Sequence, residues 1–111
     1  MNTAQFQALC AALPGVTFDV KWQTSQVYSI GGKMFAMVRE AGGVAFKVEA
    51  ERFLELTDYP GVCPAPYLAR HRWIALDAPT VLPDTLLAEL IQTSYRLVRA
   101  KLPAALRRSL P

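Results

Sequence analysis

The chain has 111 residues, 52% of them apolar and 19% charged. That is one domain of sequence, apolar enough to close a core and too sparsely charged to be disordered. No apolar run approaches the roughly 20 residues of a membrane helix. The opening Met-Asn-Thr-Ala-Gln-Phe lacks the basic and apolar segments of a secretory leader, so a cytoplasmic domain with no membrane partner is expected.

Asn2 and Gln5 have the spacing of a capping box, and Phe6, Leu9, Cys10 and Leu13 follow at helical intervals. The spacing predicts a helix over residues 3–13, stopped by Pro14-Gly15. Residues 16–24 read either as a short strand or as an extended entry segment. Three extended runs come next, over residues 26–30, 33–40 and 44–48, separated by Gly31-Gly32 and Gly42-Gly43. Paired glycines supply the positive φ angles of tight hairpin turns, so these runs are predicted to form an antiparallel meander. In the third run Val44, Phe46 and Val48 face one way and Ala45 and Lys47 the other.

Residues 49–56 read as a short helix with Glu49 and Glu51 at its N-terminal end. Pro64 and Pro66 then impose an extended stretch. Residues 72–77 are predicted as a strand, with a shorter one near Val62. Pro83 and Asp84 open the longest helix, whose stripe of Leu86, Leu87, Leu90, Ile91, Leu97 and Val98 runs to about Lys101. Pro103 ends it, and residues 104–110 form a short basic helical turn or tail. The predicted order is α-β-β-β-α-β-β-α over a single domain, residues 1–111. It is an α+β fold with an antiparallel sheet and helices packed on it.

Leu13-Pro14-Gly15-Val16, Trp22, Gly32-Lys33-Met34-Phe35-Ala36, Phe46-Lys47, Pro64-Ala65-Pro66-Tyr67-Leu68 with Trp73, and Ser94-Tyr95 followed by Lys101-Leu102-Pro103 occur in this order. With these motifs the chain resembles the MmcQ/YjbR-like family of small bacterial proteins, over nearly its whole length. The resemblance implies a compact α/β domain, likened to secretion chaperones and to small two-winged DNA-binding folds. For such relatives a DNA-binding role has been proposed from fold.

Residues 70–111 carry seven Lys/Arg against three Asp/Glu, whereas residues 1–69 carry five against six. The imbalance permits a polyanionic partner. Lys33 and Lys47 are expected near one end of the sheet, where two ammonium groups suit a phosphate or carboxylate. Arg70 and Arg72, on one face of an extended strand, suit bidentate phosphate contacts. Arg96 and Arg99 share the outer face of the last helix with Gln92.

Trp22, Tyr67, Trp73, Ser94 and Tyr95 are the candidates for a pocket or a partner surface. For Ser94 the competing expectation is a back-bond to the carbonyl of Leu90. Trp73 is expected to anchor the proline-rich segment to the core. Cys10 is expected to be a small core residue and Cys63 a thiol without a role. The single histidine, His71, cannot complete a zinc site with them.

The chain has no phosphate-binding glycine loop, nucleophile elbow or metalloprotease motif. The reading from sequence is therefore a non-enzymatic binding module, with DNA as the candidate partner and no cofactor or metal. A protein-binding adaptor of the secretion-chaperone kind and a small-ligand domain are the alternatives, and the oligomeric state is open.

Overall fold

In the computed structural model, which describes residues 1–111, α1 (Thr3–Ala11) leads into β1 (Val16–Lys21), β2 (Ser25–Ile30), β3 (Lys33–Val38) and β4 (Val44–Lys47). Then follow α2 (Ala50–Thr57), β5 (Val62–Pro64), β6 (Trp73–Leu76), α3 (Asp84–Ala100) and α4 (Ala104–Ser109). Two 3-10 turns, Ala69–His71 and Pro79–Val81, flank β6. The strands make one six-stranded antiparallel sheet in the order β1-β2-β3-β4-β6-β5.

This is the expected α+β class with one strand more than the predicted order, because residues 16–21 pair with β2 as an edge strand. The capping box forms as the sequence predicts. Asn2 Oδ1 accepts from the Gln5 amide at 2.8 Å, and Gln5 Oε1 accepts from the Asn2 amide at 2.9 Å. Helix α1 stops at Ala11, two residues short of the expected end, as the chain turns toward Gly15 at φ +75°.

The two glycine pairs play different roles. Gly31 and Gly32 both take positive φ, 58° and 80°, as a two-residue hairpin turn requires. Gly42 is also left-handed, but Gly43 is not. Gly43 is needed for space, since a Cβ there would stand 2.7 Å from the carbonyl oxygen of Leu76.

One face of the sheet is closed by helices. Its core joins 21 buried residues, among them Phe6, Phe35, Phe46, Leu56, Ile74, Leu87 and Leu90. Fully burying each such side chain stabilises the fold by about 1.5–3 kcal/mol. A bulge shapes this face. Tyr28 pairs with Ala36 and Ser29 with Met34, so Phe35 is the extra residue, and Phe35 and Ala36 both enter this core. The other face carries a smaller cluster of Val27, Met37, Ala45, Ala65, Trp73 and Ala75, with Met34 and Leu68 against it. The chain between β5 and β6 covers part of that face.

Candidate functional site

The antiparallel register fixes where the cations gather. Lys33 opens β3, Lys47 closes β4 opposite Trp73, and Arg72 immediately precedes β6. All three therefore lie at one end of the sheet. Lys101, at the C-terminal cap of α3, comes close to the same place. Burial, followed by the nearby charges of Lys101 and Arg72, holds the Lys47 ammonium below the usual lysine range. Lys47 Nζ donates to the backbone oxygen of His71 at 2.8 Å. The side-chain ion pairs of the protein both belong to Arg52, with Glu55 and Glu89, so no carboxylate neutralises this cluster. Lys101 was not among the residues expected from sequence. Its proximity depends on where α3 ends, which periodicity does not fix.

The expected pairing of Arg70 and Arg72 on one strand face is not found. Residues 69–71 form a 3-10 turn, and Arg72 closes it in the left-handed conformation at φ 64°. The two side chains thus leave the turn differently. Arg72 Nη1 bonds the Arg70 oxygen at 3.2 Å, and its guanidinium lies 5.8 Å from the centre of the Phe53 ring. Arg96 and Arg99 also part. Arg96 is exposed and bonds Thr93, while half-buried Arg99 turns toward Pro111 and has Nη1 buried without a partner.

Three of the residues expected to line a pocket lie in the core instead. Trp73 is 4% exposed and packs between Ala45, Ala65 and Ala75. Tyr95 stacks edge-on against Phe35, and its hydroxyl donates to the Pro14 oxygen at 2.6 Å, tying α3 to the exit of α1. Ser94 makes no back-bond to Leu90. Its hydroxyl donates to the Phe35 oxygen at 2.6 Å and accepts from the Lys47 amide at 3.0 Å. The β3–β4 register ends at Ala36–Phe46. The next facing backbone groups, displaced by the bulge, are bridged by this one hydroxyl from α3.

Trp22 and Tyr67 behave differently. Trp22 is 64% exposed and Tyr67 fully exposed. Both are left-handed, at φ 52° and 66°, a conformation rare for bulky residues. They stand at the borders of an open groove of about 470 Å³ on the helix-free face of the sheet. Met34, Met37, Ala45 and Leu68 form its floor and walls, and Arg39 is its one charged residue. Met34, Met37, Arg39 and Leu68 were not expected as site residues, since they come from separate segments and read as ordinary core or turn positions. Cys10 is buried, and desolvation pushes its thiol up to about 12, so it is no nucleophile. Cys63 is exposed on edge strand β5.

No helix is long and apolar enough to cross a membrane. A family model described as YjbR matches residues 11–97. A Deinococcus radiodurans protein, whose structure carries the family-model domain DUF419, is similar over 97% of this chain and 86% of its own, with a TM-score of 0.86 and 24% identity. A Pseudomonas syringae protein is similar over 88% of this chain and 99% of its own, with a TM-score of 0.72 and 22% identity. At such identities the likeness is one of fold. No curated protein matches the chain.

Proposed function

The chain belongs to the YjbR family, whose model spans residues 11–97, and we propose that it is a non-enzymatic binding module for nucleic acid. The observation that carries this reading is the cation cluster of Lys47, Arg72 and Lys101, with Lys33 at the same end of the sheet and no carboxylate paired to any of them. Mutually repelling cations kept without a counter-charge suit an external polyanion, whose phosphates relieve the repulsion and release their own counterions. Arg70 and Arg96 are solvent-exposed and extend the positive surface. Arg99 is left out of it, because its side chain is engaged with Pro111.

The test is binding of labelled DNA across a salt series. Affinity is expected to fall steeply as salt rises. A Lys47→Gln/Arg72→Gln/Lys101→Gln variant should bind weakly, with a log–log salt slope smaller by about 2–3. Absence of binding at low salt, or an unchanged slope in the variant, would refute the reading.

A further inference from the structure

The basic end gives no account of the groove. Tyr67 is fully exposed, so no packing contact rewards its left-handed backbone. Trp22, across the groove, is the exposed member of the two tryptophans. Two large rings displayed on strained backbone around an apolar floor call for a flat apolar surface brought from outside.

We infer that this groove receives unpaired bases of a single-stranded nucleic acid, stacked on Trp22 and Tyr67. This inference rests on the nucleic-acid reading above and specifies its substrate class as single-stranded. Four features of the groove argue for it. Its volume, about 470 Å³, lies within the range of small-ligand sites. Its floor holds two methionines, Met34 and Met37, whose sulfur atoms make favourable contacts with aromatic rings.

Third, residues that line the groove stand next to cations along the chain. Met34 follows Lys33, Leu68 precedes Arg70 by two residues, and Ala45 shares the groove face of β4 with Lys47. A strand with bases in the groove can thus carry its phosphates onto the basic end. Fourth, only one charged side chain, Arg39, lines the groove. A free nucleotide would have little to hold its phosphates there. A polymer finds its electrostatic contacts next door.

The alternatives fit less well. A duplex hides its base faces from Trp22 and Tyr67. An extended peptide brings backbone amides and carbonyls that need partners, yet the floor strands β2, β3 and β4 are interior and already paired on both sides.

Intrinsic fluorescence provides the test, because Trp73 is buried and Trp22 faces solvent. A short oligothymidylate should quench Trp22 saturably, whereas a duplex of the same length should bind through the cations without quenching it. Trp22→Ala and Tyr67→Ala should each weaken oligothymidylate binding about tenfold, the loss of one stacked base. Tyr67→Phe should retain affinity. Both residues are exposed, and an unchanged unfolding midpoint shows that the variants are folded. If the oligothymidylate binds salt-dependently with Trp22 fluorescence unchanged and wild-type affinity in both alanine variants, the groove inference falls and the nucleic-acid reading stands. If neither DNA binds at low salt, both fall. Quenching by an apolar peptide but by neither DNA would overturn the groove inference and make the groove a protein-docking site, and DNA binding in the salt series would then decide the nucleic-acid reading separately.

Discussion

The two faces of the sheet are cut from the same strands but closed by different means. On β4, Val44 and Phe46 point toward the helices and Ala45 and Lys47 toward the groove. The helix side is filled with phenylalanine, leucine and isoleucine over 21 buried residues. The groove side holds alanines around a single tryptophan, covered in part by the segment between β5 and β6. Large side chains exclude everything but the protein's own helices. Small ones leave room that the covering segment does not fill, and that room is the groove.

The sharpest way to break this contrast is Trp73→Ala. Trp73 is the one large side chain of the groove-side cluster besides Met37, so its truncation should behave as a full core deletion, costing about 3–5 kcal/mol. Denaturant unfolding should show a much lower midpoint, and DNA affinity measured on the folded fraction should change little. A variant with wild-type stability would mean that the groove side has no core of its own.

Ser94→Ala should come next. It strands the Lys47 amide and the Phe35 carbonyl between β3 and β4, at a cost of about 1–3 kcal/mol. Equilibrium unfolding measures it, and a change below a few tenths of a kcal/mol would mean that the strands re-pair directly. Smaller still are Trp22→Ala and Tyr67→Gly, expected to leave stability within about 0.5 kcal/mol of wild type in the same measurement. A larger drop would reassign either ring to packing.

The last contrast is invisible at neutral pH. Cys10, on the helix side, is raised from its ordinary 9.0 to about 12 by burial, so above pH 9 the unfolded chain loses a proton that the folded chain keeps. Stability linked to this thiol is fully present below pH 9 and declines as pH rises toward 12. Cys10→Ala should remove that alkaline decline in pH-dependent unfolding curves. In the native protein a thiol reagent should modify exposed Cys63 alone. Modification of both at equal rates would mean that α1 does not seal the helix side.

What could be read from the sequence follows from how local each signal is. The Asn2–Gln5 cap, the Gly31-Gly32 turn and the long stripe of α3 are each set within a few residues, and each formed as expected. Strand β1 alternates apolar and polar residues from Val16 to Lys21, but it is an edge strand whose Phe18 and Val20 stay exposed, so the pattern alone did not separate a paired strand from an extended entry segment. The turn at Ala69–His71 was missed because Pro64 and Pro66 argue for extended chain, and nothing local announces a left-handed arginine. Of the candidate site, the charge imbalance was legible and its convergence was not. The groove was legible only as exposed-or-buried alternatives for its aromatics. Trp22 and Tyr67 went one way, Trp73 and Tyr95 the other, and tertiary contacts made that choice.

The Ser94 bridge has a consequence for how the domain opens. A strand pair normally unzips independently of the helix packed on it. Here the Lys47 amide hydrogen is held by a hydroxyl carried on α3, and the same hydroxyl holds the opposing strand. Solvent reaches that hydrogen by way of the helix lifting away, and the helix cannot lift without freeing both strands at that point. Helix α3 and the β3–β4 hairpin are thereby joined into one cooperative unit, and the exchange of a single backbone hydrogen at Lys47 measures the free energy of undocking the helix.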